Sequence, residues 1–253
     1  MEEIQMKLSI IMPGVRPHNW LKVYQSIPNA TDITNYELVI VSPCDLPPEL
    51  RDIENVRLIK DKGCPTRANQ IGLLHSRGEY CSWCADDAVY SPTMSIDKAF
   101  DVLPPVKGVV SLRHSEPYKG ASLEKLSWWR VERHAMLSRL KYIPNHYMII
   151  LVPLIRRDYL MEIGGWDCQF QQPGISNMEL GIRLQKDGAT AVLGEKALIC
   201  SNEKTEPGGA TPQVVNASKN NDIPLLQKIY SHKSAKHRKK VDFDNWKQAV
   251  RWS

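Results

Sequence analysis

The chain has 253 residues, 42% of them hydrophobic and 24% charged, with seven tryptophans, which is enough for one large α/β domain or two small ones and excludes disorder as the main state. The formal net charge of +5 lies wholly at the C-terminal end: Ser231 to Ser253 hold seven Lys and Arg against Asp242 and Asp244, and the preceding 230 residues carry 26 charges of each sign. A basic surface spread over the whole body is thereby excluded, and the basic character is expected of a tail.

The N-terminus opens Met1-Glu-Glu, acidic where a secretory signal is basic, with no apolar h-region behind it. The longest apolar run, Met148 to Ile155, is interrupted by Pro153 and is far short of the roughly 20 residues that span a bilayer. A soluble, cytoplasmic chain without a transmembrane segment is expected. Lys7 to Met12 reads as a strand stopped by Pro13-Gly14, Trp20 to Ile27 as a helix, and Tyr36 to Val41 as a second strand stopped by Ser42-Pro43. Val56 to Lys60 is a third strand, and Pro65 to Ser76 has helical spacing. Tyr80 to Cys84 reads as a strand buried on both faces, ending on Ala85-Asp86-Asp87-Ala88. Ser91-Pro92 then has the pattern of a cap opening a helix from Thr93 to Leu103. Strands alternating with helices predict βαβ units and a mainly parallel sheet. Two adjacent carboxylates thus fall just past the carboxyl end of a central strand, where open α/β sheets bind ligands.

Gly108 to Leu112 reads as a strand, and Ser122 to Lys141 as a helix carrying Trp128-Trp129 and a basic face. Tyr147 to Leu154 reads as a strand, Arg157 to Ile163 as a short helix, and Gly164-Gly165-Trp166-Asp167 as a turn. Met178 to Asp187 is a predicted helix closed by Gly188, followed by the last strand within Ala191 to Cys200. Asn202 to Asp222, rich in Gly, Pro, Asn, Ser and Thr, reads as a loop or lid. Leu225 to Tyr230 is helical, and Phe243, Trp246 and Val250 recur in the tail at roughly helical spacing. Cys81 and Cys84 have CxxC spacing, but on a strand residues three apart point to opposite faces, so buried thiols are expected there rather than a metal or redox pair.

Several segments occur in an order that carries a resemblance. They are the first strand ending in proline (SIIMPGVRP), the second (YELVIVS), Arg67-Ala-Asn69, Gly78-Glu79-Tyr80 before Asp86-Asp87, Ile163-Gly-Gly-Trp-Asp167, and Met178-Glu179-Leu-Gly-Ile-Arg183-Leu184. Between about Leu8 and Asn202 the chain resembles the family 2 glycosyltransferases. The resemblance implies a GT-A, Rossmann-like α/β fold with a mixed, mainly parallel central sheet flanked by helices. It divides the chain into a glycosyltransferase domain over 1-202 (donor half 1-105, acceptor half 106-202), a loop or lid over 203-222, and a C-terminal helix and basic tail over 223-253.

By that resemblance the donor is a nucleotide-diphosphate sugar, UDP-linked by preference, and a divalent cation, Mn²⁺ or Mg²⁺, neutralises the leaving diphosphate. The family's acidic motif falls on Ala85-Asp86-Asp87, which assigns the metal to Asp87 and the donor's sugar or ribose to Asp86. Pro13, Arg16 and Ser42 are candidates to line the donor pocket, Ser42 standing where the family has an aspartate, and Arg67 is a candidate phosphate or base contact. Transfer with inversion needs a base for the acceptor hydroxyl. The family's base position is Asn177 here, which cannot take a proton. Glu179 as base, Asp167 as base, and donor binding without efficient transfer all remain open. Gly165 and Trp166 are candidates for the acceptor or sugar pocket, with His146 beside them; a core role for Trp166 and a structural Glu179–Arg183 pair are the competing readings. The implied acceptor is a glycan or lipid-linked glycan, with DNA as the alternative, and the basic tail is a candidate contact to an anionic membrane surface or simply a solvated appendage.

Overall fold

The computed structural model describes residues 6–115, 140, 142, 150–200 and 212–252. Its strands are β1 (Leu8–Pro13), β2 (Tyr36–Ser42), β3 (Val56–Lys60), β4 (Tyr80–Trp83), β5 (Ala88–Tyr90), β6 (Gly108–Ser115), β7 (Val152–Arg156) and β8 (Thr190–Cys200). They form one sheet in the order β3-β2-β1-β4-β7-β6-β8-β5. The first four run parallel. β7 lies antiparallel between β4 and β6, β8 is parallel to β6, and β5 closes the edge antiparallel to β8.

Side chains alternate across the sheet with period two. Ile10, Met12, Leu38, Ile40, Val110 and Leu154 point to the face covered by α1 (Pro17–Ser26) and α3 (Ser95–Val102) through Trp20, Val23, Ile96 and Ala99. Ile11, Cys81, Trp83, Val109 and Ile155 point to the other, where α2 (Pro65–His75), α4 (Arg157–Glu162) and α5 (Pro173–Lys186) contribute Leu73, Leu160, Leu180 and Leu184. Cys81 and Cys84 fall in these two opposite cores, as their strand spacing predicts. Burial pushes both thiols up to about 12, so neither is a reactive thiolate near neutral pH.

Several boundaries depart from the sequence reading. Ser91 does not cap α3: its Oγ donates to the carbonyl oxygens of Lys196 and Ala197, tying it to β8, and the helix starts at Ser95 after Met94 in a left-handed conformation. β5 is too short to stand out in sequence and exists because Ala88–Tyr90 pair with Leu198–Cys200. α5 begins five residues before the predicted Met178, because the Gln172 side chain caps it by accepting from the Ile175 N–H. The reading of 203–222 as a loop is corrected over its described part. Pro212–Ala217 is α6, and a wide helical turn over Ser218–Asp222 leads into α7 (Ile223–Ser231). Its composition misleads because the buried Asp222 carboxylate accepts from the backbone N–H groups of Gln171 and Gln172, anchoring this stretch to the start of α5. Leu226 and Tyr230 then pack on Phe170, Ile175, Met178 and Ile182. The predicted helix from Ser122 to Lys141, with its paired tryptophans, lies outside the described residues apart from Leu140.

The basic tail is the largest departure. It is a strap bonded to the body along its length. Val241 N–H donates to the Ile163 carbonyl (3.1 Å), and the Gln70 amide donates to the Phe243 carbonyl (2.9 Å). Asn245 accepts from Cys168 N–H and donates to the Trp166 carbonyl (2.7 and 3.0 Å). Trp252 N–H donates to the Lys62 carbonyl (2.8 Å). Among the described residues, no helix is long and apolar enough to cross a membrane.

Candidate functional site

The carboxyl ends of β4, β1, β2 and β3 make one rim, and the acidic pair stands at its β4 end. Asp86 is 3% exposed. One of its oxygens accepts from the backbone N–H groups of Val15 and Arg16 (2.7 and 2.8 Å), and the other from Arg16 Nε (3.1 Å). Both oxygens are therefore committed to the loop after β1, which corrects the expectation that Asp86 faces the donor: its role is to fold that loop onto the end of β4. Arg16 also reaches Asp87, with its Nη2 3.2 Å from Oδ2. Asp87 is the more open of the two carboxylates, its side chain 14% exposed against 4% for Asp86.

The remaining predicted donor contacts differ in what holds them. Pro13 ends β1 opposite Val41 at the rim. Ser42 is buried and its Oγ accepts from the Cys44 N–H (2.9 Å), so it turns the chain after β2 and offers no open edge to a base. Arg67 is corrected: it is 2% exposed, ion-paired with Asp61 (2.9 Å), hydrogen-bonded to the Trp246 carbonyl and stacked on the Trp246 ring, so it anchors the tail. At the β5 edge, Cys200 pairs with Ala88, next to Asp87, and its Sγ lies 2.9 Å from His114 Nε2. Burial pushes His114 down to about 4, so its ring is neutral near pH 7. Sequence spacing gives no sign of this contact, because only strand pairing brings the two residues together.

In the acceptor half the Gly164-Gly165 turn is where the sequence predicts, with φ of 89° and 64°. A Cβ at Gly164 would meet the Val241 carbonyl, and one at Gly165 the Gln70 side chain. Only glycine combines that left-handed backbone with such close approach. Trp166 is fully buried, edge-on to Trp83 at 4.6 Å, and donates its indole N–H to Asn177 Oδ1 (2.8 Å). The pocket assignments of Gly165 and Trp166 are thus corrected to a turn and a core anchor. His146 lies outside the described residues.

Asn177 and Glu179 diverge on α5, as residues two apart on a helix must. Glu179 is wholly buried and accepts from Arg183 Nε (2.8 Å), Arg238 Nε (3.0 Å) and the Tyr230 hydroxyl (3.0 Å). Arg183 continues to the carbonyls of Ile163 and Gly165, locking the turn to the helix. Arg238, from the tail, also binds Asp167, which is 1% exposed and further bonded by Gln169. Burial pushes Glu179 up, but the two guanidinium groups outweigh it and hold the carboxyl below its ordinary value. Burial, followed by the nearby Glu179 charge, pushes Asp167 up. Both expected bases therefore lie in a closed network beneath the tail. Sequence reading missed Arg238 and Tyr230 as its partners because both come from beyond the family resemblance.

Among the described residues, no three His, Cys, Asp or Glu side chains converge as a metal cage. The rim nevertheless fits a cation of the kind that takes one or two carboxylates and completes its shell with substrate phosphates and water. Asp87 is the partly open carboxylate there.

No family model matches the chain, and no curated protein matches it in sequence. Solved structures do match it in fold. S. aureus TarS superposes with a TM-score of 0.51 at 13% identity, over 78% of this chain and 37% of that one. GalNAc-T7 with UDP, GalNAc and Mn²⁺ does so with a TM-score of 0.58 at 12% identity, over 79% of this chain and 44% of that one. S. aureus TarS 1-349 in complex with UDP-GlcNAc gives 0.50 at 13% identity, over 89% and 70%. The chain spans less than half the length of the first two. Its fold is the GT-A glycosyltransferase fold.

Proposed function

We propose that the chain is a glycosyltransferase of the family 2 type that moves a sugar, with inversion, from a nucleoside diphosphate sugar to a glycan or lipid-linked acceptor. The observation that carries this reading is the Asp86–Asp87 pair beyond the carboxyl end of β4, with Asp86 holding the β1 loop and Asp87 left partly open on the same rim. Asp87 would hold Mn²⁺ or Mg²⁺; when bound, the cation supplies charge neutralisation for the departing diphosphate. Arg16, within 3.2 Å of Asp87, supplies a guanidinium to the same oxygens from the protein itself. Asp87→Ala is expected to lower Mn²⁺-dependent hydrolysis of, or transfer from, a UDP-sugar by about 100-fold or more, with the melting temperature unchanged. Undiminished turnover would place the cation elsewhere.

A second reading, donor binding without efficient transfer, is favoured by Asn177. Its side-chain oxygen accepts the Trp166 indole N–H, and the nearest alternatives, Asp167 and Glu179, sit under Arg238. Steady-state assays of Asn177→Asp separate the two. Under the transferase reading the substitution leaves the rate unchanged or lowers it, whereas a rise of about 100-fold, within the range of general-base catalysis, identifies a lapsed base. A DNA acceptor and a membrane contact through the tail draw little support, because Arg238, Lys240 and Lys247 are paired with Asp167, Glu162 and Asp244.

A further inference from the structure

The tail ends at the same rim as the acidic pair. Cys64 N–H donates to the Val250 carbonyl (3.4 Å), Gly63 bridges to Arg251 antiparallel, and Trp252 N–H donates to the Lys62 carbonyl (2.8 Å). The indole N–H of Trp252 donates to Gln171 Oε1 (3.1 Å), which fixes the ring plane. Between this segment and the ends of β2 and β3 lies an open cleft of about 530 Å³, lined by Pro43, Lys60, Asp61, Lys62, Arg251 and Trp252. Its volume is within the range of small-ligand sites. Its walls pair a flat aromatic ring and a proline with cations. Asp61 is held by Arg67 and Lys60 by Asp45, whereas among the described residues neither Lys62 nor Arg251 has a carboxylate partner. A planar ring with carbonyl acceptors matches this chemistry: the ring stacks, and its oxygens face the cations.

Position along the rim narrows the ligand further. From β4, which ends before Asp87, the sheet order runs to β1, β2 and β3. Three strand spacings of roughly 4.8 Å separate β4 from β3, about 14 Å in all, a span that suits an extended nucleoside diphosphate. Ser42, which stands where a base-reading carboxylate was expected, is buried and occupied by the Cys44 N–H. Recognition of the base must therefore come from other residues on this rim.

We propose that Trp252 and Arg251 of the C-terminal strap form one wall of the donor-base site, the base stacking on the Trp252 indole while its diphosphate runs along the rim to Asp87. This rests on the donor reading given above. The test is calorimetric titration of UDP and of uridine into the full chain, Trp252→Ala, Trp252→Phe and Arg251→Ala, with melting temperatures measured alongside. Trp252→Ala is expected to weaken both ligands by about tenfold or more, the size of a base–aromatic stacking contact, and Trp252→Phe to restore most of the affinity. Arg251→Ala is expected to weaken both by a smaller factor at an unchanged melting temperature. UDP and uridine binding to Trp252→Ala as tightly as to the wild type would overturn the assignment of this wall and leave the donor reading standing. A wild-type chain that binds neither UDP, GDP, CDP nor ADP would overturn both.

Discussion

Glu179→Ala is expected to lower the unfolding free energy by about 3–5 kcal/mol, the usual effect of removing one member of a buried ion pair. The carboxylate is fully buried and is the shared acceptor of Arg183, Arg238 and Tyr230, so its loss leaves the buried Arg183 with no carboxylate partner among the described residues and Arg238 with Asp167 alone. Arg183 also holds the carbonyls of the Gly164-Gly165 turn, so the damage should spread there. Urea melts of the wild type and the variant measure this directly. Acid dependence gives an independent check. Glu179 is held below its ordinary value of 4.5 because its two arginines outweigh its burial. A lowered native value means that its stabilisation is present above the unfolded value and is lost as the pH falls through the native one. Asp167, pushed up by burial and by Glu179, acts in the opposite sense, favouring the folded state below its unfolded value and losing that contribution as the pH rises through the native one. Glu179→Gln should therefore flatten the loss of stability on acidification. A Glu179→Ala chain that melts like the wild type yet loses turnover would instead make Glu179 a catalytic base.

Removal of residues 238–253 is expected to abolish cooperative folding. The cut takes away Arg238, leaving Glu179 with Arg183 alone and the buried Asp167 with no cationic partner among the described residues. It also strips the Phe243 carbonyl from Gln70, Asn245 from Trp166 and Cys168, and Trp246 from Arg67. A broken buried pair costs about 3–5 kcal/mol and each orphaned buried polar group about 1–3 more. Together these reach the about 5–15 kcal/mol that holds a typical domain folded. Soluble yield and circular dichroism of the truncated chain are the measurement. A truncated chain that melts cooperatively near the wild-type temperature would make the strap a dispensable appendage. Arg238→Ala is the milder version and should retain the fold with a lowered melting temperature.

Much of the fold is legible in the residues themselves. Strands such as Tyr36–Ser42 and Val56–Lys60 are short β-branched runs between Pro, Ser and Asp stops, and α2 opens on Pro65 where a first-turn proline belongs. The position of Asp86-Asp87 past a buried strand, the GG turn and the divergence of Asn177 from Glu179 on one helix follow from local periodicity. The partners that hold Asp86, Arg67 and Glu179 are not legible in the same way, because Val15, Trp246 and Tyr230 reach them from distant parts of the chain and only folding brings them together.

The sequence by itself determined the alternation of strands and helices, the neutral body, the acidic pair at a strand end and the glycine turn, because each depends on backbone preference and side-chain period over a few residues. Only the tertiary structure decided the meaning of the +5 charge. In sequence the cations look solvated, since their acids lie far off in the chain. Folding brings Arg238 onto Asp167 and Glu179 and sets Lys240 against Glu162. Taking Glu179 out of water is costly unless cations accompany it, so the strap that carries Arg238 is a condition of the acceptor half's packing.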